Sequence, residues 1–241
     1  MNRVILSAST DETILAVTRQ HKLVDLEIEQ QINTEIVGCI YKGVVKNIVP
    51  AVDGIFVDIG IGKNAFLRRK DLLNEKRFPT EGSPILAQVI KSDTDMKGAL
   101  ITEKISMFGK YAVTLSGTGY IGVSKKIRQE SVRKRLKEIG KEICAEHMGL
   151  IIRTAAENAD MDEFRKDITR LKENWDIIQK RFRMEKSPTL LYRESDIIVK
   201  ALRDYVNKGT EILITDNRKI YERICKLNES EHTIEPDKIS L

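Results

Sequence analysis

Between residues 37 and 103 the chain carries apolar runs too short for helices and spaced closely enough to pair as strands. They are IYKGVVKNIV, GIFVDIG, NAFL and PILAQVIK, parted by glycine-bearing turns. A sheet of such short strands leaves exposed edges unless it closes on itself, so the spacing predicts a small barrel.

Side chains alternate along a strand. In GIFVDIG, Ile55, Val57 and Ile59 therefore share one face and Gly54, Phe56 and Asp58 the other. NAFL repeats the arrangement, with Ala65 and Leu67 opposite Asn64, Phe66 and Arg68. Two of the six phenylalanines thus fall on the polar side of the predicted barrel. Rings in that position stack the bases of single-stranded nucleic acid, while nearby Lys and Arg follow its phosphates. Phe56 and Phe66 are the candidate rings, and Lys42, Lys46, Lys63, Arg68 and Lys97 the candidate cations. The competing assignment is that one or both rings pack beneath an adjoining loop or domain.

The net charge of +5 suits an anionic partner without selecting one. The three Cys (Cys39, Cys144, Cys225) and three His (His21, His147, His232) are scattered singly, so neither a disulfide framework nor a zinc site is indicated. No apolar run reaches the roughly 18 residues of a membrane span, and the first residues lack a signal-peptide pattern. The expected location is the reducing cytoplasm.

The start reads as a hairpin, strands 3–8 and 13–17 about the turn Ser9-Thr10-Asp11-Glu12, with a third strand near 23–28. After residue 104 strands and helices alternate. YAVTL is a strand; a helix begins at Ser131 with Val132, Leu136, Ile139 and Ile143 at helical spacing; GLIIRT is a buried strand. Asp160 and Glu163 form a capping-box-like start for the clearest helix, whose apolar stripe is Phe164, Ile168, Leu171, Trp175, Ile178 and Phe182. Ser187-Pro188 ends it. A strand (189–192), a helix (196–207), a strand (211–215) and a helix from about Asn217 follow. The last residues, from Asn228, show no closing element and suggest a truncated unit.

Arg153-Thr154 ends the GLIIRT strand, offering a guanidinium fork and a hydroxyl where a phosphate could sit, or else an ordinary ion pair. The run Lys125-Lys126-Ile127-Arg128, with Arg133, Lys134, Arg135 and Lys137, is a second basic cluster, most simply a solvated face. Catalytic signatures such as G-x-S-x-G, the P-loop and H-E-x-x-H do not occur. Asp216, after EILIT, is the best single metal-ligand candidate but lacks a partner; Asp93 and Asp95 are expected to make a turn.

Taken in order, YKGVVKNIVPAVDGIFVDIGIGKNAFL, MKGALITEKISMFGKYAV, GVSKKI, GLIIRTAAENAD, the Trp-containing helix and ESDIIVKALRDYVNKGTEILITDN resemble the amino-terminal half of the bacterial ribonuclease E/G family. The resemblance runs nearly from Met1 to about Asn217. It implies an α+β chain with three parts. These are a ribonuclease H-like layer from residues 1–35 and 196–241, an OB-fold RNA-binding barrel at 36–103, and an α/β 5′-sensor subdomain at 104–195. Phe56 and Phe66 then match RNA-contacting aromatics and Lys97 a lysine near the same surface. Gly109 and Val113 match sensor-pocket positions, and Arg153 with Thr154 match the pair that binds a 5′-monophosphate. Lys125 stands where the family often has Arg, keeping the charge and losing the bidentate fork.

The resemblance further implies that the catalytic Mg²⁺ site and the zinc-binding cysteines of the tetramer belong to a following half, together with a residue that helps close the sensor pocket. No cofactor is expected in this chain. Alone it is expected to bind single-stranded RNA, preferably 5′-monophosphorylated, and not to cut it; self-association is left open. The alternatives are a stand-alone RNA-binding regulator derived from the family and a self-contained metal nuclease using ribonuclease H-like carboxylates, which needs clustered acids absent from the pattern.

Overall fold

The computed structural model describes residues 2–30, 36–76, 78–94, 97–144, 148–193, 196–206, 209–231 and 234–241. Asp95, His147, Asn207 and His232 lie outside them. In chain order, the opening meander is β1 (Asn2–Ala8), β2 (Glu12–Arg19) and β3 (Lys22–Gln30). Five short strands follow: β4 (Ile40–Val49), β5 (Gly54–Asp58), β6 (Ala65–Arg68), β7 (Pro84–Lys91) and β8 (Leu100–Thr102). Then come β9 (Ser106–Phe108), β10 (Ala112–Ser116), β11 (Ile121–Val123), α1 (Glu130–Ile143), β12 (Met148–Ile152), α2 (Met161–Met184) and β13 (Thr189–Tyr192). The chain continues with α3 (Ile197–Asp204), β14 (Thr210–Thr215), α4 (Arg218–Glu231) and β15 (Ile239–Ser240). It divides into two compact units, one built from its two ends and one from residues 36–194.

In the unit of residues 36–194, β4 to β8 close into a barrel. β4 pairs with β7 through Ile40↔Gln88 to Val44↔Pro84 and then with β5 through Val44↔Asp58 to Val49↔Gly54. β5 pairs with β6, β6 runs parallel to β8, and β8 returns to β7. Gly43 sits where β4 changes partners; a Cβ there would come within 2.5 Å of Val57 Cγ1. Ile55, Val57, Ile59, Ala65 and Leu67 fill the interior, as their alternation predicts. The fifth strand, β8, is too short to announce itself as a pattern. On the other edge of β4, β13 pairs as well, so residues 189–192 extend the barrel sheet.

The same unit holds a four-stranded sheet in the order β11-β12-β10-β9. Its inner face and the stripes of α1 and α2 share a core of Met107, Ile121, Leu136, Leu150, Ile152, Phe164, Ile168 and Leu171. β12 is not buried throughout: Ile151 points away from that core and is exposed. The α2 start departs from a reciprocal capping box. Asp160 Oδ1 accepts from the N–H groups of Asp162 (2.9 Å) and Glu163 (3.2 Å), but the Glu163 carboxylate accepts from the Tyr111 hydroxyl instead.

The terminal unit is a sheet in the order β15-β14-β1-β2-β3, with β14 parallel to both neighbours. Val4, Leu6, Leu15, Val17 and Leu213 share a core with Ile198, Leu202 and Ile224 of α3 and α4. A closing element does exist. Asn228 exchanges two hydrogen bonds with the Ile234 backbone, and β15 then pairs with β14 at Leu213 and Ile214. Two residues are too few for a visible strand pattern, which is why the sequence reading missed it.

The expected consequence of Asp160→Ala is a loss of about 1 kcal/mol of stability, the usual worth of an N-cap. Urea titration should show a lower midpoint at unchanged slope.

Candidate nucleic-acid interface

Phe56 and Phe66 are direct cross-strand neighbours, with ring centroids 5.5 Å apart and planes inclined by 53°. Both rings are half-buried on the outside of the barrel. Gly54 explains how they lie there. A Cβ on Gly54 would overlap the Cε2–Cζ edge of the Phe66 ring, so the ring lies against bare backbone. Sequence reasoning put Gly54 on this face without giving it a role, because the seat is visible only once the strands are in register.

Beside the rings, Lys63 Nζ donates to the Thr94 carbonyl at 2.9 Å, tying the β5–β6 turn to the β7–β8 loop. Thr94 and Lys97 close that loop by exchanging backbone hydrogen bonds of 2.8 and 3.2 Å, and Lys97 is exposed. Lys46 lies 3.4 Å from Asp58 and Arg68 pairs with Asp71. Lys42 is engaged elsewhere. Its ammonium donates to the carbonyls of Phe182 and Glu185, each at 2.7 Å, capping the C-terminal end of α2, and lies 5.0 Å from the Phe182 ring centre. A cation is favoured there by the helix dipole. The structure thus gives Lys42 a structural task at the end of α2.

A second cluster forms at one end of the four-stranded sheet. β11 and β12 run parallel, so their ends lie side by side: Val123 pairs with Ile152, and Ser124 N–H donates to the Ile152 carbonyl at 2.8 Å. Lys125 follows on one strand end and Arg153-Thr154 on the other; Lys125 and Thr154 are exposed. Arg133 is not part of a merely solvated face. It clamps the Lys125 loop through the carbonyls of Ser124 (2.7 Å) and Ile127 (2.9 Å). Arg153 Nη1 donates to the Gly109 carbonyl at 2.8 Å, and its backbone N–H to Tyr111 at 2.8 Å. The β9–β10 turn is thereby fixed to Arg153.

That turn has an anchor the sequence reading overlooked. Asp167 of α2 is buried and accepts from the N–H groups of Lys110 (3.2 Å) and Tyr111 (2.8 Å), with Arg170 3.2 Å away. A Cβ on Gly109 would stand 2.5 Å from the Asp167 carboxylate, so this approach needs glycine. Burial, followed by the Glu163 carboxylate, raises the Tyr111 phenol well above its usual range, keeping it a donor. The available signal was an acid inside an otherwise apolar stripe, three residues after Phe164. Val113 lies on the open face of the sheet between Phe108 and Ile151.

Asp216 serves the opening hairpin. It accepts from Ser7 Oγ and from Ala8 N–H, and these bonds hold its carboxyl below the usual range. Among the described residues no group of three or more His, Cys, Asp or Glu could hold a metal ion, and no helix is long and apolar enough to cross a membrane.

A closed barrel with paired outer rings is a form that binds RNA, and the S1 RNA binding domain matches residues 34–102. The Ribonuclease E/G family matches residues 106–241, and the chain belongs to that family. It is similar to ribonuclease G of Escherichia coli (strain K12), 32% identical over 240 residues, which is 92% of this chain and 49% of the relative. Against ribonuclease G of Haemophilus influenzae (strain ATCC 51907 / DSM 11121 / KW20 / Rd) the identity is 30%, over 94% of this chain and 50% of that one. Ribonuclease E of Buchnera aphidicola subsp. Schizaphis graminum (strain Sg) is 31% identical over 92% of this chain and 25% of its own length. The chain spans about half the length of the ribonuclease G relatives.

Two substitutions separate the roles on the barrel. Gly54→Ala should lift the Phe66 ring and weaken single-stranded RNA binding, read by fluorescence anisotropy, with secondary structure unchanged. Lys42→Met should lower thermal stability and leave RNA affinity within about twofold, because its ammonium caps a helix.

Proposed function

We propose that this chain is the RNA-holding and 5′-end-sensing part of a ribonuclease E/G-type endoribonuclease of the cytoplasm. The barrel grips single-stranded RNA by stacking bases on Phe56 and Phe66, with Lys46, Lys63 and Lys97 lowering the cost of bringing phosphates close. The sheet end at Arg153 receives the terminal 5′-monophosphate. The guanidinium and the Thr154 hydroxyl supply hydrogen bonds, and Lys125 adds an untethered charge. In this reading the terminal unit is a ribonuclease H-like scaffold, for which the parallel pairing of β1 with β14 speaks.

The observation that carries the reading is the register of β11 with β12. It sets Lys125 beside Arg153-Thr154 while the Gly109 turn is held against the same arginine. The Mg²⁺-dependent cutting chemistry and the zinc link of the family are assigned to sequence outside the matched half.

The test compares short RNAs that differ only in a 5′-monophosphate or a 5′-hydroxyl. Arg153→Ala should erase a preference of about ten- to a hundredfold for the monophosphate, the worth of a charge-assisted hydrogen bond, without changing 5′-hydroxyl binding. Equal weakening of both RNAs would remove the sensor role. Phe56→Ala should cost both RNAs about 1–3 kcal/mol of binding.

A further inference from the structure

The charge excess of the chain is concentrated in one place. Residues 125–141 carry eight Lys and Arg against two Glu, an excess of six, whereas the whole chain carries +5. The remainder is slightly acidic, so this stretch alone makes the chain basic. It comprises the β11–α1 loop and most of α1. Ile127 is buried and pins the loop, Lys126 N–H donates to Ser124 Oγ at 3.3 Å, and Arg133 holds the Ser124 and Ile127 carbonyls. Lys126 and Arg128 flank that anchor and are exposed. Along α1, Leu136, Ile139 and Gly140 are buried on the core side, so the helical period turns Lys134, Lys137 and Lys141 outward, and all are exposed. At steps of three and four they form a ridge about 10 Å long.

The acids of α1 do little to neutralise the ridge. Glu130 lies 3.6 Å from Arg133 and Glu142 3.0 Å from Arg165, which leaves Glu138 as the acid beside it. None of the ion pairs among the described residues uses Lys126, Arg128, Lys134, Lys137 or Lys141. The ridge therefore calls for an anion. The apolar stripe of α1 is spent on the core, so the helix has nothing to insert into a lipid surface. The outward positions carry only charges, so an acidic protein segment would find no apolar anchor there. A polyphosphate backbone needs no such anchor, because neutralising phosphates is itself favourable. RNA is the polyphosphate this chain already carries a domain for.

We propose that the Lys134-Lys137-Lys141 ridge of α1, led by Lys126 and Arg128, is a further RNA-binding surface that holds the sugar-phosphate backbone without regard to base or to the chemistry of the 5′ end. The proposal rests on the reading of this chain as an RNA binder and is independent of the role given to Arg153. Lysine suits the task. Its ammonium is a mobile point charge that follows phosphates without fixing their geometry, so the ridge adds grip and no sequence preference.

The experiment measures fluorescence anisotropy of single-stranded RNA of about 30 nucleotides, longer than one barrel covers, bearing a 5′-monophosphate or a 5′-hydroxyl, across a range of salt. The wild-type chain is compared with the combined Lys134→Gln, Lys137→Gln and Lys141→Gln variant, with the matching Lys→Arg variant and with Arg153→Ala. Gln keeps helix propensity, so the variant should fold, and its circular dichroism melt checks that it does. Each phosphate contact on a single strand adds about 0.7 to the salt slope, so the Gln variant should lose about two units and bind about tenfold more weakly at about 0.1 M salt. Both RNAs should weaken alike, leaving any monophosphate preference in place, and the Arg variant should behave as wild type. Unchanged affinity and slope in the Gln variant mean a solvated face, and the proposal falls. It falls too if the Gln variant loses the monophosphate preference at unchanged slope, or if it loses only binding to vesicles containing phosphatidylglycerol. If Arg153→Ala keeps the preference while the Gln variant still loses slope, the sensor reading falls and the ridge stands. No binding of either RNA by the wild-type chain sinks both.

Discussion

Closing a sheet of five short strands requires every strand to find partners on both edges, and β4 meets that demand by dividing its length. Its first half faces β7, its second half β5, and β13 takes the remaining edge of the first half. Ten residues suffice because Gly43 lets the strand pass close over Val57. With the barrel closed, the interior is filled by one alternate set of side chains, and the other set must point out. The exposure of Phe56 and Phe66 is thus a consequence of closure, and the seat at Gly54 turns that exposure into an ordered platform.

At the four-stranded sheet the comparable constraint is electrostatic. A carboxylate as buried as Asp167 has to find donors, and the donors it finds are the backbone N–H groups of the β9–β10 turn. The turn then has only one place to be, and its outward carbonyl at Gly109 orients Arg153. Satisfying one buried acid therefore sets the direction of a guanidinium on the adjoining strand end. Lys42 works similarly at the far end of α2, where its ammonium satisfies carbonyls that a helix terminus leaves open.

What could be read in the sequence was whatever repeats with a period. Alternation in GIFVDIG and NAFL foretold which residues enter the barrel, and the three-and-four spacing from Phe164 to Ile178 foretold the buried stripe of α2. Strands of two or three residues, β8, β9, β11 and β15, carry too few positions for a period and emerge only through their partners. Side-chain assignments had the same limit. Lys42 sits on a strand among other lysines, and nothing local reveals that a helix end 140 residues away needs its charge. Gly54 and Asp167 likewise have meaning only across a register or between elements. Arg153-Thr154 was legible as a chemical pair because both groups stand at one strand end; its neighbours were legible only through family resemblance.

Helix α2 has 24 residues and so extends about 36 Å. Near its start Asp167 grips the turn that holds Arg153, and beyond its last residue Lys42 fastens it to the barrel. It is a strut between the barrel and the sheet end that carries Arg153, within one compact unit. For an RNA held at both, the separation is set by turns of helix rather than by a slack tether. On the proposed reading such a frame acts as a gauge: a strand too short to bridge it gains from only one grip, and a longer one engages both at a fixed offset from its end.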